Sequence, residues 1–256
     1  MRYFVELRYD GGAYCGWQRQ PHSPSVQQTI EQALSKILRT PTEIVGAGRT
    51  DTGVNASYYV AHFDTDAVYD VAQTLYKLNM MLPTDIALDS ITPVADEAHA
   101  RFDAREREYT YFISQTKNPF RRNSAWLYYI PLDVARMNEA AKLLLENDDF
   151  TSFAKLNSNN KTNICRIVEC GWREEDESVL RFTIRADRFL RNMVRSIVGT
   201  LVDVGRGRYT VEEFADIVAA RDLSRSSAGA PAQGLFLSDV IYPEKIFVKQ
   251  TFNNLK

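Results

Sequence analysis

Cysteine and histidine are scarce in this sequence, which holds three of each among 256 residues. An odd number of cysteines without paired spacing argues against a disulfide framework and fits a reducing compartment. Cys165 and Cys170 fall in one strand-like run, where their odd offset points them to opposite faces. The histidines lie far apart in sequence and form no local ligand pair. The sequence therefore predicts no disulfide and no metal site.

Long hydrophobic runs, excess charge of one sign and glycine-rich phosphate loops are also missing. No run reaches the roughly 20 apolar residues that a membrane span needs, and the opening residues MRYFVELRYDGG alternate instead of forming a signal core. We therefore expect a soluble, cytoplasmic protein without a membrane partner. Neither GxxxxGKS/T nor GxGxxG occurs, so no nucleotide cofactor is expected. The formal net charge is -2, so a nucleic-acid partner would need a local basic face.

The pattern of elements predicts an α+β protein with a largely antiparallel sheet. Alternating apolar residues predict strands, and an apolar stripe at helical spacing predicts helices. The predicted strands are RYFVELRY, TEIVGA, SYYVAHF, IALDSI, REYTYFIS, AWLYYI, NICRIVECGWRE, SVLRFTIRA and LFLSDVIY, and the predicted helices are SVQQTIEQAL, DVAQTLYKLNMML, DVARMNEAAKLLLEN, FLRNMVRSIVGTLVDVG and VEEFADIVAA. Each half thus follows a βαββαβ-like order, with residues 1–100 as the N-terminal half and 101–256 as the C-terminal half.

The segment GAGRTDTGVNA, residues 46 to 56, is the most unusual in the chain. It places Arg49 two residues before Asp51, so on an extended chain both side chains leave the same face. Glycines on both sides let a ligand approach the backbone, and the flanking strands supply a rigid base. A carboxylate kept ionised by a neighbouring guanidinium is a competent nucleophile or base. A turn aspartate that caps backbone amides near Gly53 is the simpler alternative.

A second segment, HARFDAREREYTY, mixes basic and aromatic residues in the way that RNA-binding surfaces do. Arg105 and Arg107 share a strand face with Tyr109, while Arg101 and Phe102 precede them in a loop. The segment is therefore a candidate RNA-binding surface. A solvated strand edge beside a core tyrosine explains the same pattern.

Two further groups are candidates for binding phosphates. After Arg185, the three arginines Arg188, Arg191 and Arg195 have the i, i+3, i+7 spacing of one helix face, and these three meet no balancing acid before Asp203. This pattern favours anion binding over a merely solvated face. The polar loop AKLNSNNKTN adds Asn157, Asn159, Asn160 and Lys161, either as phosphate-binding residues or as an ordinary loop.

Five segments, in this order along nearly the whole chain, resemble signatures of the tRNA pseudouridine synthase A family. They are YDGGAYCGWQRQP with SVQQTIEQAL, GAGRTDTGVNA, HARFDAREREYTY, FLRNMVRSIVG and GLFLSDVIYP. The family loop usually reads closer to RTDAGVHA, so Thr52 and Asn55 replace its common alanine and histidine. Neither position is the aspartate or the arginine of the loop, so these departures bear on loop packing or substrate contact.

The resemblance implies a pseudouridine synthase fold of two ferredoxin-like halves and a cofactor-free isomerisation of uridine. In it, Asp51 is the nucleophile, attacking either uracil C6 or the sugar C1′, and Arg195 is the arginine that pairs with this carboxylate. Tyr109 is the active-site tyrosine that packs on the uracil, and Leu235 is a wall of its pocket. Arg49 assists flipping and fills the vacated space, because a base in a stem must leave the stack to react.

The resemblance also implies a homodimer that binds the anticodon stem-loop of tRNA and modifies positions 38, 39 and 40. Two other functions fit the residues. A non-catalytic RNA-binding protein would keep the basic and aromatic segments without needing Asp51. A hydrolase would use Asp51 with a second acid such as Asp64 or Asp103 and would release free base.

Overall fold

The computed structural model describes residues 1–66, 69–155 and 161–247. Within them the chain is an α+β protein, as predicted. The strands are β1 Arg2–Tyr9, β2 Val45–Gly46, β3 Asn55–Asp64, β4 Ile86–Val94, β5 Glu106–Ser114, β6 Trp126–Leu127, β7 Ile167–Asp176, β8 Val179–Ala186 and β9 Leu235–Ile241. The helices are α1 Val26–Leu38, α2 Val71–Met81, α3 Val134–Lys142, α4 Met193–Gly205 and α5 Val211–Ala220.

The strands form one sheet in the order β4-β1-β3-β9-β5-β8-β7, with β2 beside β3 and β6 beside β5. Most neighbours are antiparallel, and the exceptions among the described strands are β3 with β9 and β5 with β6. The first half has the expected order βαββαβ, whereas the second adds the short β6 and a second helix before β9. The predicted class, a largely antiparallel α+β sheet with flanking helices, is confirmed.

The last strand is the centre of the sheet. Its parallel register with β3 joins Asn55 to Phe236 and Ala56 to Leu237, and on its other side β9 pairs antiparallel with β5. The end of the chain therefore links the strands of the first half to those of the second.

Two buried hydrophobic clusters lie along this sheet. The first is built mainly on β1, α1, β3 and β4, and it also takes in Leu237, Val240 and Ile246 from the end of the chain. The second is built on β5, α3, β7, β8, α4 and α5, together with Val54 from the first half. Tyr109 is half-buried and packs against both clusters. The border between the clusters passes beside the segment that holds Asp51.

Polar side chains cap the starts of α1 and α5. Ser25 accepts a hydrogen bond from the backbone N–H of Gln28 at 3.3 Å. Thr210 and Glu213 form a complete capping box at the start of α5, which satisfies two backbone donors at once.

Several predicted elements are shorter than their patterns indicated. TEIVGA forms a strand only at Val45–Gly46, and AWLYYI only at Trp126–Leu127. The predicted helix FLRNMVRSIVGTLVDVG begins at Met193 instead of Phe189. The cause is Asn192, which has a φ of 65° and so interrupts helical backbone, while the carbonyl of Arg191 accepts from the N–H of Lys155 at 3.1 Å.

Candidate active site

The loop before β3 is held by its buried middle residue. Thr50 is 7% exposed, and its hydroxyl shares a 2.9 Å hydrogen bond with the hydroxyl of Tyr9 in β1. Its neighbours Arg49 and Asp51 are exposed and half-buried respectively. An inward Thr50 therefore leaves the two charged side chains on the outer side of the loop.

The three glycines of this loop have different roles. A Cβ on Gly46 would collide with Tyr59 and Trp17, and Gly53 has a φ of 75°, which a side chain rarely tolerates. Gly48 alone of the three has open space around it, while its carbonyl accepts a hydrogen bond from the Tyr59 hydroxyl. Close approach of a ligand to the backbone is therefore possible at Gly48, whereas Gly46 and Gly53 serve packing and the turn.

Asp51 forms an ion pair with an arginine that the sequence pattern did not single out for this role. Its Oδ1 lies 3.6 Å from Nε of Arg191, and the two side chains are 30% and 61% exposed. Arg195, which the resemblance paired with this carboxylate, instead donates from Nε to the carbonyl of Ala230 at 2.6 Å. In this structure Nε of Arg195 therefore bonds to Ala230 instead of Asp51, and a pairing of Arg195 with Asp51 during the reaction stays a prediction.

Tyr109 lies beside the carboxylate. Burial first, and then the negative charge of Asp51, raise the pKa of its hydroxyl, so the phenol is protonated at neutral pH. Its ring makes an edge-to-face contact with Phe189, with centroids 5.1 Å apart. The two rings form an apolar surface next to a carboxylate, which suits a flat and weakly polar group such as a nucleobase.

Leu235 lies at the point where the chain enters the middle of the sheet. It is buried, begins β9 and pairs with Tyr111 of β5. The preceding residues Pro231 and Gly234 pack on the same tyrosine, whose hydroxyl donates to the carbonyl of Pro231 at 2.8 Å. Leu235 is thus held in place at the border between the two clusters.

Arg49 lines a shallow cavity whose lining residues do not include Asp51. The cavity measures about 140 Å³ and is lined by Trp17, Gln27, Gly48, Arg49 and Arg101, among others. It brings two of the predicted RNA-binding arginines together although they are far apart in sequence. The cavity is open, carries two guanidinium groups and is not lined by Asp51, so it suits a phosphate or sugar group more than the reacting base.

Phe102 is the most exposed aromatic residue of the predicted RNA-binding segment, with 74% of its surface accessible. The imidazole of His99 lies 4.3 Å from its ring and accepts hydrogen bonds from the backbone N–H groups of Arg101 and Phe102. The guanidinium of Arg101 lies 5.6 Å from the same ring. An exposed ring held in this way is available for stacking.

Arg107 has a structural environment that the pattern of the segment did not indicate. Its guanidinium donates to four backbone carbonyls, those of Ala47, Arg101, Ala104 and Asp187. These contacts tie the loop before β3 to the segment before β5. Arg105, by contrast, is exposed, and its backbone N–H bonds to the carbonyl of Ile241 at 2.8 Å.

The predicted single face of arginines near α4 is wrong, because Arg188 and Arg191 precede the helix. The expectation that Arg188, Arg191 and Arg195 meet no balancing acid is wrong for Arg191, and Arg185, which lies outside that set, is paired as well. Arg185 forms ion pairs with Glu169 at 2.6 Å and with Glu106 at 3.5 Å, and Arg191 pairs with Asp51. Hydrophobic periodicity predicted the helix but could not reveal acids contributed by distant strands.

The polar loop predicted to bind phosphates lies mostly outside the described residues, since Asn157, Asn159 and Asn160 fall between residues 155 and 161. Lys161 is described and is exposed. In the described part of the chain, no group of three or more histidine, cysteine or acidic side chains could hold a metal ion. No described helix is long and apolar enough to cross a membrane.

Two neighbours of the site were not identified from the sequence. Phe189 was assigned to a helix, although it is the ring that contacts Tyr109. Asn55 stood out only as a departure from the usual loop pattern, whereas its amide forms buried hydrogen bonds to Gly11 and Gln233. For Phe189, its aromatic character was the only signal in the sequence. For the buried contacts of Asn55 the sequence held no signal, because the hydrogen bond to Gln233 joins residues 178 positions apart.

Comparison with known proteins identifies the family. A family model described as tRNA pseudouridine synthase matches residues 7–103 and 140–243. The chain belongs to the tRNA pseudouridine synthase A family. The predicted resemblance is therefore confirmed, and with it the prediction that the chain is an isomerase.

Individual relatives agree over almost the full length. The chain is 50% identical over 252 residues to a tRNA pseudouridine synthase A of Bacteroides thetaiotaomicron, covering 98% of this chain and 94% of the relative. It is 51% identical over 249 residues to the protein of that name from Parabacteroides distasonis, covering 96% and 98%. A solved archaeal box H/ACA sRNP Nop10-Cbf5 complex overlaps 83% of this chain and 52% of that chain at 10% identity and a TM-score of 0.32, a likeness too weak to support an inference.

Proposed function

We propose that this isomerase converts uridine to pseudouridine in the anticodon stem-loop of tRNA, at positions 38, 39 and 40, with Asp51 as the nucleophile. The observation that carries the proposal is the half-exposed carboxylate of Asp51, placed between the Tyr109 ring and the Arg191 guanidinium where the two halves of the sheet meet. Family membership supports the reaction, and this placement supports the residue.

The reaction is an isomerisation, so the RNA has the same atoms before and after it. The carboxylate of Asp51 attacks uracil C6 or the sugar C1′, and the N1–C1′ bond breaks. The uracil turns while it is held, the C5–C1′ bond forms, and the bond between the Asp51 oxygen and C6 or C1′ breaks, which restores the carboxylate. C5 loses its proton, and N1 carries one in the product. Atoms and electrons balance without an oxidant or a group donor.

Tyr109 and Leu235 hold the base in this proposal. The Tyr109 ring packs on the uracil, and its protonated hydroxyl lies near the carboxylate, where it assists removal of the C5 proton through a hydrogen bond. Buried Leu235 forms a wall of the pocket. Arg195 contributes by holding the carbonyl of Ala230, five residues before Leu235.

The RNA is bound mainly through its backbone. Exposed Arg49 enters the stem as the uridine flips out, while Arg101 and Phe102 bind the neighbouring phosphate and base. Arg105, Lys161, Arg188 and Arg191 supply further phosphate contacts, and Asn157, Asn159 and Asn160 belong to the same proposed surface. Recognition of shape and backbone explains how one enzyme modifies several adjacent positions. A homodimer that binds one tRNA across both subunits completes the proposal.

The decisive variant is Asp51→Asn, with Asp89→Asn as its matched control. Asp89 also has a side chain 30% exposed and an arginine partner, Arg8, but it lies in β4. We expect Asp51→Asn to lower single-turnover pseudouridine formation by more than about 1,000-fold, while tRNA affinity stays within about three-fold. The control should retain wild-type rates.

The assay maps pseudouridines in tRNA after carbodiimide treatment, and mass spectrometry follows the RNA in parallel. Turnover by Asp51→Asn at more than about a tenth of the wild-type rate contradicts the nucleophile assignment. Release of free uracil by the wild type would indicate the hydrolase, and binding without any reaction would indicate the non-catalytic alternative.

A further inference from the structure

The side chain of Asn55 connects three segments that surround the candidate site. It is 2% exposed and lies at the start of β3, four residues after Asp51. Its Oδ1 accepts a hydrogen bond from the N–H of Gly11 at 2.7 Å, and its Nδ2 donates to the carbonyl of Gln233 at 2.9 Å. One uncharged amide therefore joins the turn after β1, the loop of Asp51 and the approach to β9.

The contact with Gly11 bears directly on the loop of Asp51. A Cβ on Gly11 would lie 2.0 Å from the carbonyl oxygen of Val54, so the two backbones are in direct contact. In the turn that follows Gly11, the carbonyl of Tyr14 accepts from the N–H of Gly53 at 3.3 Å. The Asp51 carbonyl in turn accepts from the N–H of Val54 at 3.1 Å. The acceptor atom of Asn55 thus holds the turn that packs against the loop.

The contact with Gln233 affects the segment that leads to Leu235, the proposed wall of the pocket. Gln233 lies two residues before Leu235, in a short turn where the N–H of Leu235 bonds to the carbonyl of Ala232. A Cβ on Gly53 would lie 3.4 Å from Cβ of Ala232, so this turn also lies next to the loop of Asp51. The parallel pairing between β3 and β9 covers only Asn55 with Phe236 and Ala56 with Leu237. The donor atom of Asn55 therefore reinforces a short junction.

We propose that Asn55 is a positioning residue, which sets the distance between the Asp51 loop and the Leu235 wall through its simultaneous donor and acceptor. The inference rests on the proposed function of Asp51. The two contacts of this side chain require a neutral group with one donor and one acceptor in a buried position. A carboxylate there keeps the acceptor for Gly11 but faces the Gln233 carbonyl with a second acceptor.

The matched control is Asn138, whose amide has the same two roles elsewhere in the molecule. Its Oδ1 accepts from the N–H of Trp172 at 2.7 Å, and its Nδ2 donates to the Trp172 carbonyl at 3.0 Å, between α3 and β7. The variants Asn55→Asp and Asn138→Asp make the same chemical change, one beside the candidate site and one remote from it.

We expect Asn55→Asp to lower kcat by about ten-fold or more with tRNA affinity within about two-fold of wild type, and Asn138→Asp to keep kcat within about two-fold. Because a protonated carboxyl has a donor again, the ratio of Asn55→Asp to wild-type kcat should rise from about pH 8 to about pH 6. A purely structural contribution would lower stability in both variants and leave kcat per folded molecule at the wild-type value. Equal kcat values in the two variants would overturn the inference.

A second measurement does not depend on activity. Amide hydrogen exchange in residues 48–56 and 231–236 should be about ten-fold faster in Asn55→Asp than in wild type and unchanged in Asn138→Asp. Unchanged exchange in both segments overturns the inference even if the wild type makes no pseudouridine. An inactive wild type that shows the exchange effect contradicts only the proposed function.

Discussion

Asp51 has a weakly held partner in the free protein. Its 3.6 Å ion pair with Arg191 joins two solvent-accessible side chains, and such pairs contribute about 0–1 kcal/mol. Arg195 is more firmly held, since its Nε donates to the backbone of Ala230 and it lies within α4. The two arginines therefore differ in what each can do for the reaction.

We predict that Arg191→Gln lowers tRNA affinity and changes single-turnover kcat by less than about three-fold, because its guanidinium is free to exchange Asp51 for a phosphate. Arg195→Gln should lower kcat by about thirty-fold or more, because the segment before Leu235 loses its support. Filter binding and single-turnover assays on the same tRNA measure both effects. If Arg191→Gln instead lowered kcat more than Arg195→Gln does, the ion pair between Arg191 and Asp51 would be the one that the reaction uses.

His62 makes the stability of the first cluster depend on pH. Burial, followed by the nearby charges of Arg2 and His99, lowers the pKa of its imidazole to about 4, with Asp64 acting in the opposite direction. An imidazole in the unfolded chain has a pKa of about 6.5. Between these values the unfolded state binds more protons than the folded state, so the free energy of unfolding falls as the pH falls.

We predict that lowering the pH from about 7.5 to about 5 costs the wild type roughly 2 kcal/mol through His62. In His62→Asn, which keeps an acceptor near Nδ1 for the N–H of Ala100, that part of the loss should disappear. Urea unfolding at both pH values measures the difference. An identical pH-dependent loss in the variant would contradict the prediction.

The end of α4 is attached to the segment that leads to β9. The carboxylate of Asp203 is buried and lies 2.7 Å from Nε of Arg206, 3.1 Å from a guanidinium nitrogen of Arg208 and 2.5 Å from the hydroxyl of Ser227. At the other end of the same segment, the N–H of Ala230 bonds to the carbonyl of Arg195. One helix thus fixes both ends of the link before β9.

We predict that Asp203→Asn lowers the free energy of unfolding by about 1–3 kcal/mol, since a buried acceptor loses its charge-assisted partners. The matched control is Asp133→Asn, whose pair with Arg136 is exposed and whose capping bond to the Arg136 N–H an asparagine can also make. The control should change by less than about 1 kcal/mol. If urea unfolding showed equal losses of unfolding free energy in the two variants, the buried contacts of Asp203 would contribute no more than an exposed pair.

The two halves of the molecule share their cores. Leu237, Val240 and Ile246 complete the first cluster, although they lie more than a hundred residues after β4. Val54 in turn packs in the second cluster. The division into halves at residues 1–100 and 101–256 remains a prediction about organisation, and shared packing makes each half dependent on the other.

We predict that residues 1–100 expressed alone do not unfold cooperatively, because β3 then lacks its neighbour β9 and the cluster lacks three buried side chains. Mixing this fragment with residues 101–256 should restore a single cooperative transition. Circular dichroism during thermal unfolding of each fragment and of the mixture provides the measurement. A sharp transition in the first fragment alone would show that the halves are independent.

The sequence alone was sufficient for the family, the α+β class, the position of nearly every strand and helix, and the loop that carries Arg49 and Asp51. These features depend on local periodicity, on capping residues and on an ordered set of motifs, all of which lie along the chain itself. The outward direction of half-buried Asp51 beside buried Thr50 also follows from alternation along an extended segment.

Tertiary structure decided which side chains meet. It paired Asp51 with Arg191 and placed β9 between β3 and β5. It brought four backbone carbonyls within hydrogen-bonding distance of the Arg107 guanidinium. It also joined Asn55 to a carbonyl 178 residues away. Periodicity reports the direction in which a side chain leaves its own element, whereas an ion pair or a hydrogen bond depends on distances between elements. Those distances are set by the packing of the whole sheet.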